Sequence, residues 1–189
     1  MTEKKSKGGL MNLRIRQSMK MDAVQLMDAI PTGSWTLYFH QADAEKWTID
    51  TFVKVHTCTT WQDVLMVLEE VGLPRFKNGL PFFMRGDTLP LWENYQNIRG
   101  GSYSIKVPYD NVKEVFTTQL LHAMSETAFN EDGNICMGLS MSPKKGTFNI
   151  LKIWNADAQK YNSPDGLKFV DSRCTESEVL YTPHVQKRM

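Results

Sequence analysis

Hydrophobic and polar positions alternate along several short stretches of this chain and recur at helical spacing along two longer ones. From Trp35 to His40 the residues Trp35, Leu37 and Phe39 share one side and Thr36, Tyr38 and His40 the other, the pattern of a half-buried strand with Trp35 in the core. A turn-like QADAEK then presents Trp47. Thr48–His56 alternates again through Ile49, Phe52, Val53 and Val55 with one slip of register, which predicts the first hairpin of an antiparallel sheet with Trp47 on its loop. Thr59 or Thr60 caps a helix whose Trp61, Val64, Leu65, Leu68 and Val71 lie on one face, and Gly72 followed by Pro74 ends it. Leu80–Met84 reads as a short strand, and Ser102–Val107 as another that stops at Pro108. Asp110 opens a second sheet-covering helix, with Val112, Val115, Phe116, Leu120, Leu121, Ala123 and Met124 on its apolar side. Ile135–Met141 and Phe148–Trp154 form a hairpin with Lys144 and Lys145 at its tip, and Glu178–Thr182 is a last strand.

The expected fold class is therefore α+β, an antiparallel sheet covered by helices. Residues 30–183 make one domain, of a size that supports one core. Residues 184–189 read as a flexible tail, and 1–29 as a flexible or partly helical extension. Within that extension Met1–Gly9 is polar, whereas Leu10–Ile30 carries Met and Leu without Pro or Gly. The latter is either a fraying segment or an amphipathic helix that packs on the domain or on a partner.

Composition narrows the function more by exclusion. A net charge of +1 creates no field that would gather nucleic acid globally, so any RNA contact must be local. Three cysteines (Cys58, Cys136, Cys174) without a C-x-x-C pair argue for a reducing compartment and against a disulfide framework or a zinc site. The four histidines are scattered, so no metal is expected. No apolar run is long enough to span a bilayer, and no signal core follows the charged N-terminus, which points to a cytosolic or nuclear protein. Catalytic triad spacing and phosphate-loop glycine patterns are missing from the sequence, so an enzyme is not expected.

The chemistry concentrates in Leu89–Val107, LPLWENYQNIRGGSYSIKV. Trp92 stands directly beside Glu93. An indole face can stack on a flat heterocycle while a carboxylate accepts two hydrogen bonds from the ring edge, so together they could read a purine. The ordinary reading of such a pair is a core Trp beside a solvated Glu. Trp47 on its loop and Trp154 at a strand end tip the balance toward a site, and the two-residue period puts Ile150, Lys152 and Trp154 on one face.

The order SWTLYF, EKWTID, PLWEN, RGGSYSIKV and ILKIWN, from Ile30 to Trp154 with a weak return in EVLYTPH, resembles the cytoplasmic mRNA cap-binding translation initiation factors of the 4E type. The resemblance implies a curved sheet with helices on its convex face and a cap-binding slot on its concave face. It implies that Trp47 and Trp92 clamp a 7-methylguanine ring, that Glu93 takes its N1 and N2 edge, and that Trp154 touches the N7 methyl group. Lys144, Lys145 and Lys152 would meet the phosphates, and Lys187 and Arg188 could touch RNA beyond the first nucleotide. It implies neither cofactor nor catalysis, a monomer in the cytoplasm, and a scaffold initiation factor or 4E-binding protein docking through a short helical motif on Ile30, Pro31, Trp61 and Leu65. Two departures qualify this: Ser102 stands where the family often has a basic residue, and Trp61 and Leu65 exchange the usual aliphatic and aromatic positions. With the shortened C-terminal half, they suggest a divergent, kinetoplastid-like isoform. Three roles stay open: an active initiation factor, a sequestering member that recruits no scaffold, and an interaction module of this fold without a cap site.

Overall fold

The computed structural model describes residues 26–41, 44–144, 147–168, 171–174 and 179–185, except for the side chains of 73 and 77. Most of the Leu10–Ile30 segment, Lys145, Lys187 and Arg188 lie outside the described residues. Among the described residues seven strands form one antiparallel sheet: β1 Trp35–His40, β2 Phe52–Cys58, β3 Pro81–Arg85, β4 Gly101–Pro108, β5 Cys136–Lys144, β6 Phe148–Asn155 and β7 Leu180–Pro183, in the order β2-β1-β3-β5-β6-β4-β7. Two helices, α1 Trp61–Asn78 and α2 Val112–Met124, pack on one face of it.

Helix α1 begins where side chains take up its free amides. Thr60 Oγ1 accepts from the Asp63 amide at 3.2 Å and Asp63 Oδ2 accepts from the Thr60 amide at 2.9 Å, a reciprocal capping box. The next two orphan donors are met from outside the helix: the Trp61 amide donates to the Asp28 carbonyl and the Gln62 amide to the Leu26 carbonyl. The stretch through Leu26–Ile30 is thereby pinned to the helix start. Gly72 (φ 66°) leaves the helical region as expected, but the chain does not stop there. Helical turns resume after it and run to Asn78, with Pro74 in a first-turn position that a ring nitrogen tolerates. What rewards the resumption is Phe76, fully buried and 5.2 Å from the Phe116 ring of α2.

Two strand expectations need correction. The slip of register after Thr48 is a 3-10 turn, Ile49–Thr51, so β2 starts only at Phe52. β2 is an edge strand of the sheet, and among the described residues Ile49, Val53 and Val55 are roughly half exposed. Conversely, β1 is buried on both faces. Trp35 and Leu37 point into the main core with the helices, while Tyr38 joins Phe52, Phe82, Met84 and Trp154 in a second apolar cluster on the other side of the sheet.

Candidate functional site

The second cluster is the floor of the site. Along β6 the residues Asn149, Leu151 and Ile153 are buried on the helix side, so the pleat sends Ile150, Lys152 and Trp154 to the opposite face, as the two-residue period predicts. Across neighbouring strands the register sets Gly138, Trp154, Ser102 and Thr182 in one row. Trp154 lies low in that row, 6% exposed, with its indole N–H donating to Ser140 Oγ at 3.1 Å and its ring edge-on to His184 at 4.8 Å. Above the row opens a cavity of about 580 Å³ lined by Trp92, Ser102, Lys152, Trp154 and the strand end Thr182–Val185.

Trp92 reaches this cavity from the loop between β3 and β4, which its own backbone folds tightly. The Asn94 amide donates to the Leu91 carbonyl, the Asn97 and Ile98 amides to the Asn94 carbonyl, and the Gly100 amide to the Asn97 carbonyl. Asn97 is the centre of the loop: fully buried, it donates from Nδ2 to the carbonyls of Leu89 and Leu91, both at 2.8 Å. This leaves Trp92 about half exposed and Glu93 exposed at the rim. Gly100 then lets the loop rejoin the sheet, because a Cβ there would sit 1.8 Å from the Asn155 carbonyl oxygen. Asn155 holds both sides of the junction, accepting from the Gly101 amide and the Tyr181 hydroxyl.

Lys152 is accessible to solvent but walled by the cavity. Burial lowers the pKa of its ammonium, and the charge of Lys144 on the partner strand lowers it further. A polyanion in the cavity would oppose both effects. Lys144 itself is exposed at the hairpin end.

Trp47 is placed differently from its expected partner. It is half exposed on the β1–β2 loop, and one face lies parallel on the His40 ring, with centroids 3.9 Å apart and planes 10° apart. Edge contacts run from Trp47 to Phe82 and from Phe82 to Trp154, a continuous aromatic floor from the loop to the cavity. The structure thus brings together Trp92, Lys152 and Trp154, with Glu93 at the rim and Lys144 behind Lys152. Trp47 does not line the cavity. Of the expected partner patch, Ile30 and Trp61 are buried in the core, Pro31 is exposed and Leu65 is half-buried.

Sequence reasoning passed over three residues. His184 falls in the tail that the sequence predicts to be flexible, yet its amide donates to the Gly100 carbonyl and its Nδ1–H to the Asn97 carbonyl at 2.7 Å. Burial pushes its imidazole below the ordinary histidine value; the Asn97 carbonyl raises it, Lys152 lowers it and Glu93 raises it, each to a lesser degree. The signal available was that a strand EVLYTPH pairing with RGGSYS carries His184 to the glycine pair. Asn97 and His40 gave no sequence signal, since their roles depend on which strands become neighbours. Among the described residues no cluster of three His, Cys, Asp or Glu could hold a metal ion, and no helix is long and apolar enough to cross a membrane.

Solved structures share this architecture. Caenorhabditis elegans eIF4E-3, in complex with the 4E-binding protein Mextli and a cap analog, superposes with a TM-score of 0.61 at 18% identity, over 70% of this chain and 76% of that one. A schistosome eIF4E complexed with m7GpppA and a 4E-BP gives 0.60 at 20% identity, over 72% and 75%. Ascaris suum eIF4E-3 with an m2,2,7G cap gives 0.57 at 18% identity, over 69% and 74%. At such identities these likenesses speak for the fold. The sequence itself matches the family model for eukaryotic initiation factor 4E across residues 32–184, from the entry of β1 to the cavity-lining histidine after β7, and on that match the chain belongs to the eukaryotic initiation factor 4E family.

Proposed function

We propose that this protein binds the 7-methylguanosine cap of mRNA and acts in translation initiation. The observation that carries the proposal is the convergence of Trp92, Trp154 and Lys152 on one cavity on the face of a 4E-family sheet opposite α1 and α2. Trp92 offers a ring face for the base, and Trp47, once brought over, would offer the second. Glu93 at the rim accepts hydrogen bonds from the guanine N1 and N2 edge, and Trp154 meets the N7 methyl group. Lys152 and Lys144 attract the phosphates as point charges, with Lys145 on the same hairpin. Stacking on an aromatic side chain is worth roughly 1–3 kcal/mol per base, and the delocalised positive charge of the methylated ring adds about 0.5–2 kcal/mol over an indole face. One methyl group can therefore decide binding.

Intrinsic tryptophan fluorescence during titration with 7-methylguanosine triphosphate and with GTP tests this. Saturable quenching by the methylated ligand, much weaker with GTP and lost in Trp92→Ala and Glu93→Ala, is expected; Lys152→Ala should weaken the triphosphate about tenfold while leaving the 7-methylguanosine nucleoside nearly unaffected. Equal weak responses to both triphosphates would refute cap binding.

The structural relatives that were solved with 4E-binding proteins support a docking partner of that class, and the expected patch would seat it on α1. Burial of Ile30 and Trp61 leaves Pro31 and Leu65 as the accessible part of the expected patch. That observation favours, as a second reading, an isoform that holds capped mRNA without recruiting a scaffold in the usual way. Pull-down of a scaffold motif peptide, compared between the wild type and Leu65→Ala, separates the two.

A further inference from the structure

Three neighbouring strands, β5, β6 and β4, contain no aspartate or glutamate, and each contributes one lysine: Lys144, Lys152 and Lys106. The register sets all three on the cavity side of the sheet. One row from Trp154, Lys152 stands between Ser104 and Ser140; in the next row Ile150 stands between Lys106 and Ser142, and in the third Phe148 stands between Pro108 and Lys144. Rows are about 7 Å apart, twice the rise of a strand residue. On the helix side of the same strands Ile105, Val107, Leu139, Met141, Leu151 and Ile153 are at most 1% exposed, whereas the three lysines are exposed.

The charges are placed and unbalanced. Lys106 lies along the sheet with its Nζ 4.7 Å from the centroid of the Phe148 ring, a cation–π contact that holds the ammonium near the surface. Among the described residues the ion pairs are Arg85–Glu126 and Arg173–Asp171, so no carboxylate neutralises any of the three lysines. The whole chain carries only +1, so this is a local concentration of positive charge, continuous with the cavity and extending from it along β6 toward the β5–β6 hairpin. A row of unpaired cations on an open sheet face is complementary to a phosphate backbone.

Resting on the cap-binding reading above, we propose that the RNA chain that follows the cap leaves the cavity along β6 on the β4 side, with Lys106 as a phosphate contact beyond the triphosphate. Lys152 and Lys144 meet the triphosphate itself, and Phe148 keeps Lys106 in place. Contacts of this kind fix the course of the strand and read no bases, so the track accepts any message sequence.

Titration of the wild type, Lys106→Gln and Lys106→Arg with 7-methylguanosine triphosphate and with a short capped oligoribonucleotide, each at several salt concentrations, tests this. Lys106→Gln should weaken the capped oligoribonucleotide roughly 2- to 5-fold at low salt. It should also flatten the slope of log affinity against log salt by about 0.7, the share of one phosphate contact on a single strand. Binding of 7-methylguanosine triphosphate should stay unchanged, and Lys106→Arg should keep the wild-type affinity for both ligands. Lys168→Gln removes the same charge from an exposed position on the α2 side and should alter neither. An equal loss for both ligands in Lys106→Gln would assign Lys106 to the triphosphate and overturn the inference. An unchanged affinity for the oligoribonucleotide, or the same loss in Lys168→Gln, overturns it as well. If the wild type binds neither ligand, the cap reading fails and takes this inference with it.

Discussion

Asn97 offers the sharpest test of how the Trp92 loop is built. The side chain donates two hydrogen bonds of 2.8 Å to the Leu89 and Leu91 carbonyls from a fully buried position. In Asn97→Ala both are lost, at about 1 kcal/mol each, and a small void opens. Against this, the Asn97 carbonyl oxygen of the side chain is buried without a partner, so deleting it gives something back. The expected net loss is about 2 kcal/mol, or a fall in melting temperature of roughly 4–8 °C for a domain of this size. Asn97→Asp keeps the shape but turns a donor into a carboxylate facing two carbonyl oxygens, and should cost more than the Ala variant. Urea unfolding followed by tryptophan fluorescence measures both, with the slope checked for constancy. Because the same loop aims Trp92 and Glu93, binding of 7-methylguanosine triphosphate should weaken about tenfold in folded Asn97→Ala. An Asp variant as stable as wild type, or an Ala variant within about 0.5 kcal/mol of it, would refute the account of Asn97 as the organiser of this loop.

Two further outcomes follow from local geometry. Gly100→Ala places a Cβ 1.8 Å from the Asn155 carbonyl oxygen, a backbone clash that no side-chain rotation relieves, so a loss of more than about 3 kcal/mol and separation of β4 from its anchor are expected in the same unfolding assay. Asp63, whose carboxylate accepts from the Thr59 and Thr60 amides, is held down at about 2 from an ordinary 3.8. A depressed carboxyl pKa stabilises the fold above the unfolded value, and that contribution is lost as pH falls from about 4 toward 2. Asp63→Ala should therefore be less stable by about 1 kcal/mol at neutral pH and show a flatter decline between pH 4 and 2, measured by thermal melts across that range.

Periodicity made much of this molecule legible. The alternation in Ser102–Val107 and Phe148–Trp154 predicted which side chains share a face, and Lys152 and Trp154 do line one cavity. The stripe on α2 and the cap at Thr60 are local effects, written in residues three and four apart. Where two faces of a strand are both apolar for different reasons, alternation misleads: Tyr38 and Trp35 lie on opposite sides of β1, and both are buried. Edges mislead in the other direction, since Val53 and Val55 have the residue types of a core strand yet lie half exposed on the edge strand β2. The resemblance puts Trp61 in a partner patch, but its amide and that of Gln62 donate to the Asp28 and Leu26 carbonyls, the preceding segment lies over the helix start, and the indole is enclosed. The helpers of the site were the least legible. Whether His40 meets Trp47, or His184 meets Trp154, is decided by strand order and by a loop fold, neither of which is local.

The position of β7 has a kinetic meaning. It joins the sheet only at the edge of β4, and it brings Thr182, Pro183 and His184 to the cavity wall while His184 clips onto the Trp92 loop through Asn97. More than seventy residues separate the two strands in sequence, so this pairing closes a long loop and belongs among the slower contacts to form. The cavity has no far wall until it does. On the cap-binding proposal, a molecule with the helices and the first six strands in place would look folded by most spectroscopic measures and still hold no ligand, so ligand capture during refolding would be a clock for the last docking event, and a bound nucleotide a brake on the first one to come undone.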